Sequence, residues 1–406
     1  MITSAWTGWT REQKHVVAAS YLGWTLDAFD FFLLTFVLTD IAKEFGSDVP
    51  SIGTATTLTL ALRPVGAFLF GRLADRYGRK PILLIDVLLY AFLAFASAFS
   101  PNLVVFLVLR SLFGIAMGGE WGIGASLTME SVRPESRGLV SGILQVGYPS
   151  GFLLASIAYY LLFPHFGWRG LFMAGLLPAL LVLYIRRNVA ESPGWNRGRA
   201  KVGRILDVLR RHWQLAIYAV LLMTCLNLLS HGTQDTYATF LKVDHGFDPG
   251  RVSATLIVAN IGAILGSLAF GTLSQRFGRR RMLVLGGLLC LPVLPVWAFS
   301  QGTLWLVAGA FVMQFMVQGC WAVIPAHLNE LSPADARGTF PGLVYQLGNL
   351  LAAYNGRLQP QLAIAYGSYG FALAAVAGVA ALATAFFASV GQEAKDSDLH
   401  APATAV

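Results

Sequence analysis

The chain has 406 residues, 56% of them hydrophobic and 12% charged, with a mean hydropathy of +0.62. Soluble domains carry about 25% charged residues, so this composition excludes an ordinary soluble protein and indicates one built into a membrane. The net charge of +8 invites a nucleic-acid partner, which the placement of the charges excludes below.

Apolar runs of about 20 residues, the length that crosses a hydrocarbon core, recur twelve times. They lie near 16–41, 50–71, 81–99, 102–128, 138–162, 168–187, 213–241, 252–273, 282–300, 303–328, 338–365 and 368–391. The opening MITSAWTGWTREQKH is polar and charged, and the run behind it is long and holds carboxylates, so a retained first span is expected rather than a cleaved signal peptide.

Ionisable groups inside spans are costly and point to function by default. The first span holds Asp27 and Asp30, three apart on one helix face, both expected to look into a cavity. The second holds Arg63, the fourth Arg110 and Glu120, and the eleventh Arg357. Asp86, near one end of the third, suits snorkelling, a local pair or a transport role alike. The seventh span carries NLLSHGTQDTYAT. At about 100° per residue, Asn227, Ser230, His231, Gln234, Asp235 and Thr239 share one half of that helix, which calls for a wet cavity. Bonding between helices accounts for Asn227 or Ser230, but His231 and Asp235, one turn apart, are the side-chain types suited to proton exchange near neutral pH. His327, beside Pro325, is read as a packing histidine, and Cys225, Cys290 and Cys320 as small apolar packing residues without disulfide or metal.

Of 29 Lys and Arg, 22 fall in the termini and the loops after even-numbered spans, and four (Lys43, Arg169, Lys242, Arg251) after odd-numbered ones. That asymmetry follows the positive-inside rule and predicts cytoplasmic termini. The basicity thus reports topology.

The loop GRLADRYGRKP (71–81) returns as GTLSQRFGRRR (271–281), and GGEWGIGASLTMESVRPESRG (118–138) aligns with QGCWAVIPAHLNELSPADARG (318–338), both at an offset of 200. A duplication of six spans follows, giving a first bundle at 1–187, a linker at 188–212, a second bundle at 213–391 and a tail at 392–406. Six is even, so the halves share one orientation and relate by an axis along the membrane normal. In the linker, Ile205, Val208 and Leu209 among arginines suit either a short interfacial helix or a solvated basic loop. The repeated loops read as a mechanical latch. Gly71 and Gly78 permit close approach and a tight turn, and Asp75 can pair with Arg76, Arg79 or a helix end. Arg276 and Arg279 repeat the cations, but Gln275 replaces the acid, so the second latch should be weaker. Glu130 with Arg133 and Arg137, and Glu330 with Arg337, are expected as further ion pairs that break and re-form.

GRLADRYGRK resembles the loop signature of the major facilitator superfamily, which implies an all-α fold of two six-helix bundles around a central cavity. NLLSHGTQD with Thr239 resembles the signature of the lactate and pyruvate proton symporters of yeast, as do PAHLNELSPADARG and GLVYQLGNL. LDAFDFF and GEWG are similar to bacterial sialic acid permeases of the same sialate and carboxylate proton-symporter group; Arg357 in AAYNGRLQ departs from the small residues expected there.

The resemblance implies a plasma-membrane symporter, driven by the proton gradient without a cofactor and functional as a monomer. Its partners would be a small carboxylate anion, a proton and the bilayer. The anion would be held by Arg63, Arg110 or Arg357 with Asn227, Ser230, His231 and Gln234, since guanidinium binds carboxylate bidentately. His231 with Asp235 would carry the proton, with Asp27, Asp30 or Glu120 in reserve. Lactate or pyruvate is the leading substrate and a sugar acid the alternative. No phosphate loop, nucleotide fingerprint or nucleophile with a placed base suggests an enzyme.

Overall fold

The computed structural model describes residues 8–198 and 205–399; it is helical, with no strand among the described residues. Nine described stretches are long and apolar enough to cross a membrane. One of them, Pro134–Asn188, has 55 residues and would reach roughly 80 Å as a single helix. It therefore crosses twice, turning at Gly167, whose φ of 59° only glycine adopts readily. The first span, Arg11–Glu44, is less apolar because it carries charged side chains inward. The eleventh is interrupted between Phe340–Ala352 and Asn355–Tyr366, each too short to cross alone. Twelve crossings result.

At the end that bears the termini, the two halves make corresponding contacts. The second and third spans, Val49–Tyr77 and Arg79–Ser97, meet at Gly78 with φ 112°, and the eighth and ninth, Pro249–Phe277 and the helix starting Arg279–Cys290, meet at Gly278 with φ 96°. Behind each turn a buried arginine holds an acid: Arg79 pairs with Asp75 at 2.9 Å and Glu130 at 3.2 Å, and Arg279 with Glu330 at 2.9 Å. Asp75 then reaches across to the other half, accepting from the Gly338 N–H at 2.7 Å, the Thr339 N–H at 3.1 Å and the Thr339 hydroxyl at 2.5 Å. Gln275 accepts a single bond in the mirrored place, from the Gly138 N–H at 3.2 Å. Glycines bring the backbones this close. A Cβ on Gly71 would sit 2.7 Å from the Thr339 Cα, and one on Gly138 2.5 Å from the Gly271 carbonyl oxygen.

Four latch expectations are corrected. Arg76 and Arg276 lie exposed over the Tyr77 and Phe277 rings, each 5.3 Å from the centroid, because the helix phase that buries Asp75 turns the next residue outward. Glu130 is engaged by Arg79 and the Ser192 hydroxyl rather than by Arg137. Arg137 instead faces Glu330 of the other half at 3.8 Å. Arg337 does not pair with Glu330, whose carboxylate is taken by Arg279; it donates to the Leu399 carbonyl at 2.5 Å.

That last bond belongs to the described part of the tail, up to Leu399. Arg137 donates to the Ser397 carbonyl at 2.7 Å, Ser397 donates to the Glu330 carbonyl at 3.0 Å, and Leu399 is 1% exposed among Val17, Met129, Val140 and Ala326. The segments after the sixth and twelfth spans also cap helix starts: Glu191 accepts from the Arg79 N–H at 2.9 Å and Glu393 from the Arg280 N–H at 3.0 Å. Burial pushes the Glu191 carboxyl above its ordinary range, against those N–H bonds. In the linker Pro193–Gly198 and Ile205–Arg211 are helical, and Val208 is buried against the core of the second half. The rest of the predicted amphipathic stretch, 199–204, and the Ile205 and Leu209 side chains lie outside the described residues, as do 1–7 and 400–406.

Candidate functional site

A cavity of about 480 Å³ separates the halves at the end away from the termini. It deepens into a smaller pocket of about 50 Å³ that shares Phe31, Leu60, Tyr148, His231 and Gln318 with it. Below this floor the way is shut by rings: Trp121 lies 4.7 Å from Tyr345 and 6.4 Å from Trp24, and Trp321 lies 5.3 Å from Tyr345. Together with the glycine contacts and Asp75, this layer leaves the molecule open at one end and closed at the other.

The seventh span supplies the polar wall. Its helix Trp213–Gln234 stops at Asp235 and resumes as Tyr237–Val243. The break releases the Gly232 carbonyl, which Gln359 caps at 2.7 Å, while Thr236 donates to Gln359 at 2.9 Å. Within the wall the His231 ring nitrogens reach Asp235 at 3.2 Å and Asn349 at 2.9 Å, so one imidazole joins a carboxylate to an amide of the eleventh span. Gln234 donates to Ser230 and Gln314, both at 3.1 Å, and Asn227 lines the inner pocket while donating to the Met223 carbonyl at 2.8 Å. Of the predicted polar face, Thr239 alone lies outside both cavity linings.

The opposite wall belongs to the first half. Asp27 and Arg63 both line the inner pocket. Arg63 is 5% exposed, its guanidinium 5.1 Å from the Phe31 centroid and 2.5 Å from the Met117 sulfur. Among the described residues no ion pair holds it.

Several predicted members are not brought to the cavity. Asp30 is buried away from it toward the Arg110 charge, because a step of three residues turns about 60° around a helix, enough to pass from cavity to interior. Arg110 is fully buried outside both cavity linings, with its guanidinium 3.9 Å from the Phe113 centroid. Glu120 lines a separate small pocket with Ser20, Gly124 and Leu144, behind the Trp24 and Trp121 rings. Arg357 is exposed: Asn355 and Gln359, buried on either side of it, take the inner face of that helix and turn it outward. Asp86 and His327 are wholly buried, with no hydrogen-bond partner for their side chains among the described residues. What the sequence reading missed are the amides Gln314, Gln318, Asn349, Asn355 and Gln359. Their signal was present as amides inside spans, but attention to ionisable groups passed over them.

Two matching six-span bundles around a one-sided cavity with a polar floor define a membrane carrier. The chain belongs to the Major Facilitator Superfamily, whose family model matches residues 21–352 and again 220–405. It is a multi-pass membrane transporter rather than an enzyme. It is 30% identical over 379 residues to the carboxylic acid transporter protein homolog of Saccharomyces cerevisiae, covering 85% of this chain and 61% of that longer protein. It is 28% identical to the sialic acid transporter NanX of Escherichia coli, covering 89% of this chain and 90% of NanX. Its fold is similar to the proton:xylose symporter XylE bound to 6-bromo-6-deoxy-D-glucose, with a TM-score of 0.77 at 18% identity, covering 96% and 98% of the two chains.

Proposed function

We propose that the protein is a proton-coupled symporter of carboxylate anions in the plasma membrane, with both termini in the cytoplasm, driven by the proton gradient and working as a monomer. The single observation that carries this is a floor where the guanidinium of Arg63, in no ion pair among the described residues, faces an imidazole already bonded to a carboxylate, His231 with Asp235. Arg63 offers a charge-assisted, bidentate seat for the anion. His231 and Asp235 form the pair that takes up and releases the proton, with Asp27 across the pocket in reserve. Entry of one proton with one monocarboxylate is electroneutral and avoids about 2.3 kcal/mol per charge per 100 mV against an inside-negative potential.

The yeast relative's carboxylic acids and the sialic acid of NanX support a carboxylate cargo. Lactate or pyruvate would fill only a small part of about 480 Å³, and that volume favours the alternative of a larger organic anion. The test is uptake of radiolabelled lactate and sialic acid by proteoliposomes under an imposed inward proton gradient. Accumulation of either that vanishes when the gradient is collapsed supports symport. Accumulation of neither, or accumulation indifferent to the gradient, refutes it.

A further inference from the structure

The cavity has one charged corner and one aromatic wall, and they touch. The Arg63 guanidinium sits 5.1 Å from the Phe31 centroid, so a carboxylate bound to it carries its attached carbons onto that ring. From Phe31 the wall continues without a gap: Phe31 to Phe32 at 5.6 Å, Phe32 to Tyr148 at 5.2 Å and Phe32 to Phe152 at 5.1 Å. Across the cavity Tyr237 and Trp297 are stacked at 5.1 Å, and both line it.

Several of the polar side chains between these walls are engaged by the protein itself. Thr233 donates to the Leu229 carbonyl at 2.9 Å, Asn260 to the Leu256 carbonyl at 2.9 Å, and Gln314 accepts from Gln234 at 3.1 Å. A three-carbon acid would touch one ring and leave the rest of the wall wet. The charged groups facing the corner are Asp27 from the first span and His231 and Asp235 from the seventh. They bear on the carboxylate end and leave the aromatic wall uncharged.

Resting on the carboxylate reading above, we infer that the substrate is a monocarboxylate carried on a flat unsaturated or aromatic ring, its carboxylate on Arg63 and its ring against Phe31, Phe32 and Tyr148. Offset and edge-to-face ring contacts contribute beyond plain area burial, so flatness is selected as well as apolarity.

The experiment uses the purified full chain in proteoliposomes with an inward proton gradient and protein-free liposomes as the background. Radiolabelled 4-hydroxybenzoate and lactate are the probes, with unlabelled cyclohexanecarboxylate as the saturated competitor. The expected result is gradient-dependent accumulation of 4-hydroxybenzoate, with cyclohexanecarboxylate needing at least about tenfold more for half-inhibition than unlabelled 4-hydroxybenzoate. Phe32→Leu raises the KM for 4-hydroxybenzoate about tenfold in a variant that still elutes as a single folded species. Accumulation of lactate but not 4-hydroxybenzoate, or equal inhibition by the saturated and aromatic acids, overturns the ring assignment and leaves carboxylate symport standing. Gradient-driven accumulation of no carboxylate overturns both.

Discussion

At each place where the first half buries a charge within the membrane, the residue 200 further on is neutral. Asp27, Asp30, Arg63, Asp86, Arg110 and Glu120 correspond to Asn227, Ser230, Ala263, Gly286, Ala310 and Cys320. The reverse holds as well: His231 and Asp235 correspond to Phe31 and Thr35, and the amides Gln314, Gln318 and Asn349 to Gly114, Gly118 and Pro149. Packing, by contrast, was kept. A Cβ on Gly119 would run into Phe70 and one on Gly319 into Phe270; Gly66 lies on the Ile115 carbonyl and Gly266 on that of Phe315. Duplication therefore preserved the close backbone contacts within each half and divided the chemistry between them. The physical reason is electrostatic. Two copies of one charge set would repel across a low-dielectric cavity, whereas a cation on one wall and a titratable pair on the other suit an anion and a proton together.

The strongest way to break that comparison is to move the cation. Arg63→Ala should lower carboxylate uptake about 100-fold, the scale of a lost charge-assisted bond, and Ala263→Arg on that background should not restore it. Restoration would show that the two walls are interchangeable. His231→Ala or Asp235→Asn should abolish the response of uptake to an imposed pH gradient while counterflow exchange of substrate persists. Normal gradient dependence in both variants would make the seventh-span wall a packing feature.

Smaller effects probe the shared mechanics. Gly71→Val places a side chain against the Thr339 backbone. Overpacking of that kind costs about 1–3 kcal/mol, so transport should slow about tenfold and cysteines engineered at the closed end should label faster. Truncation after Gln392 removes the bonds from Arg137 and Arg337 to the tail carbonyls. At about 1 kcal/mol each, their loss should lower the apparent Tm by a few degrees and modestly raise labelling at the same end. Arg357→Ala should leave uptake within about twofold, because that side chain is exposed outside the cavity.

Much of the fold was legible because lipid imposes a length on each apolar run and the repeat shows itself at a constant offset. The latch was legible in part. Gly71, Gly78, Asp75 and Arg79 followed from turn and charge chemistry, but the pairing of Glu130 with Arg79 joins residues 51 apart in the chain, and no local rule selects it. The tail was missed for a related reason: GQEAKDSDLH is polar and short, and its role lies in backbone carbonyls that composition does not display.

By itself the sequence determined the class of fold, the duplication, and the presence of His231 and Asp235 one turn apart, since each depends on spacing along a single helix or a constant shift. Only the tertiary structure decided which charges share a compartment. It set Arg63 and Asp27 opposite His231, withdrew Asp30, Arg110 and Glu120 from the cavity, turned Arg357 outward, and brought in the amides of the tenth and eleventh spans. Helix phase states which residues share a face; the rotation and partner of each helix, set by glycine contacts between distant spans, state what that face meets.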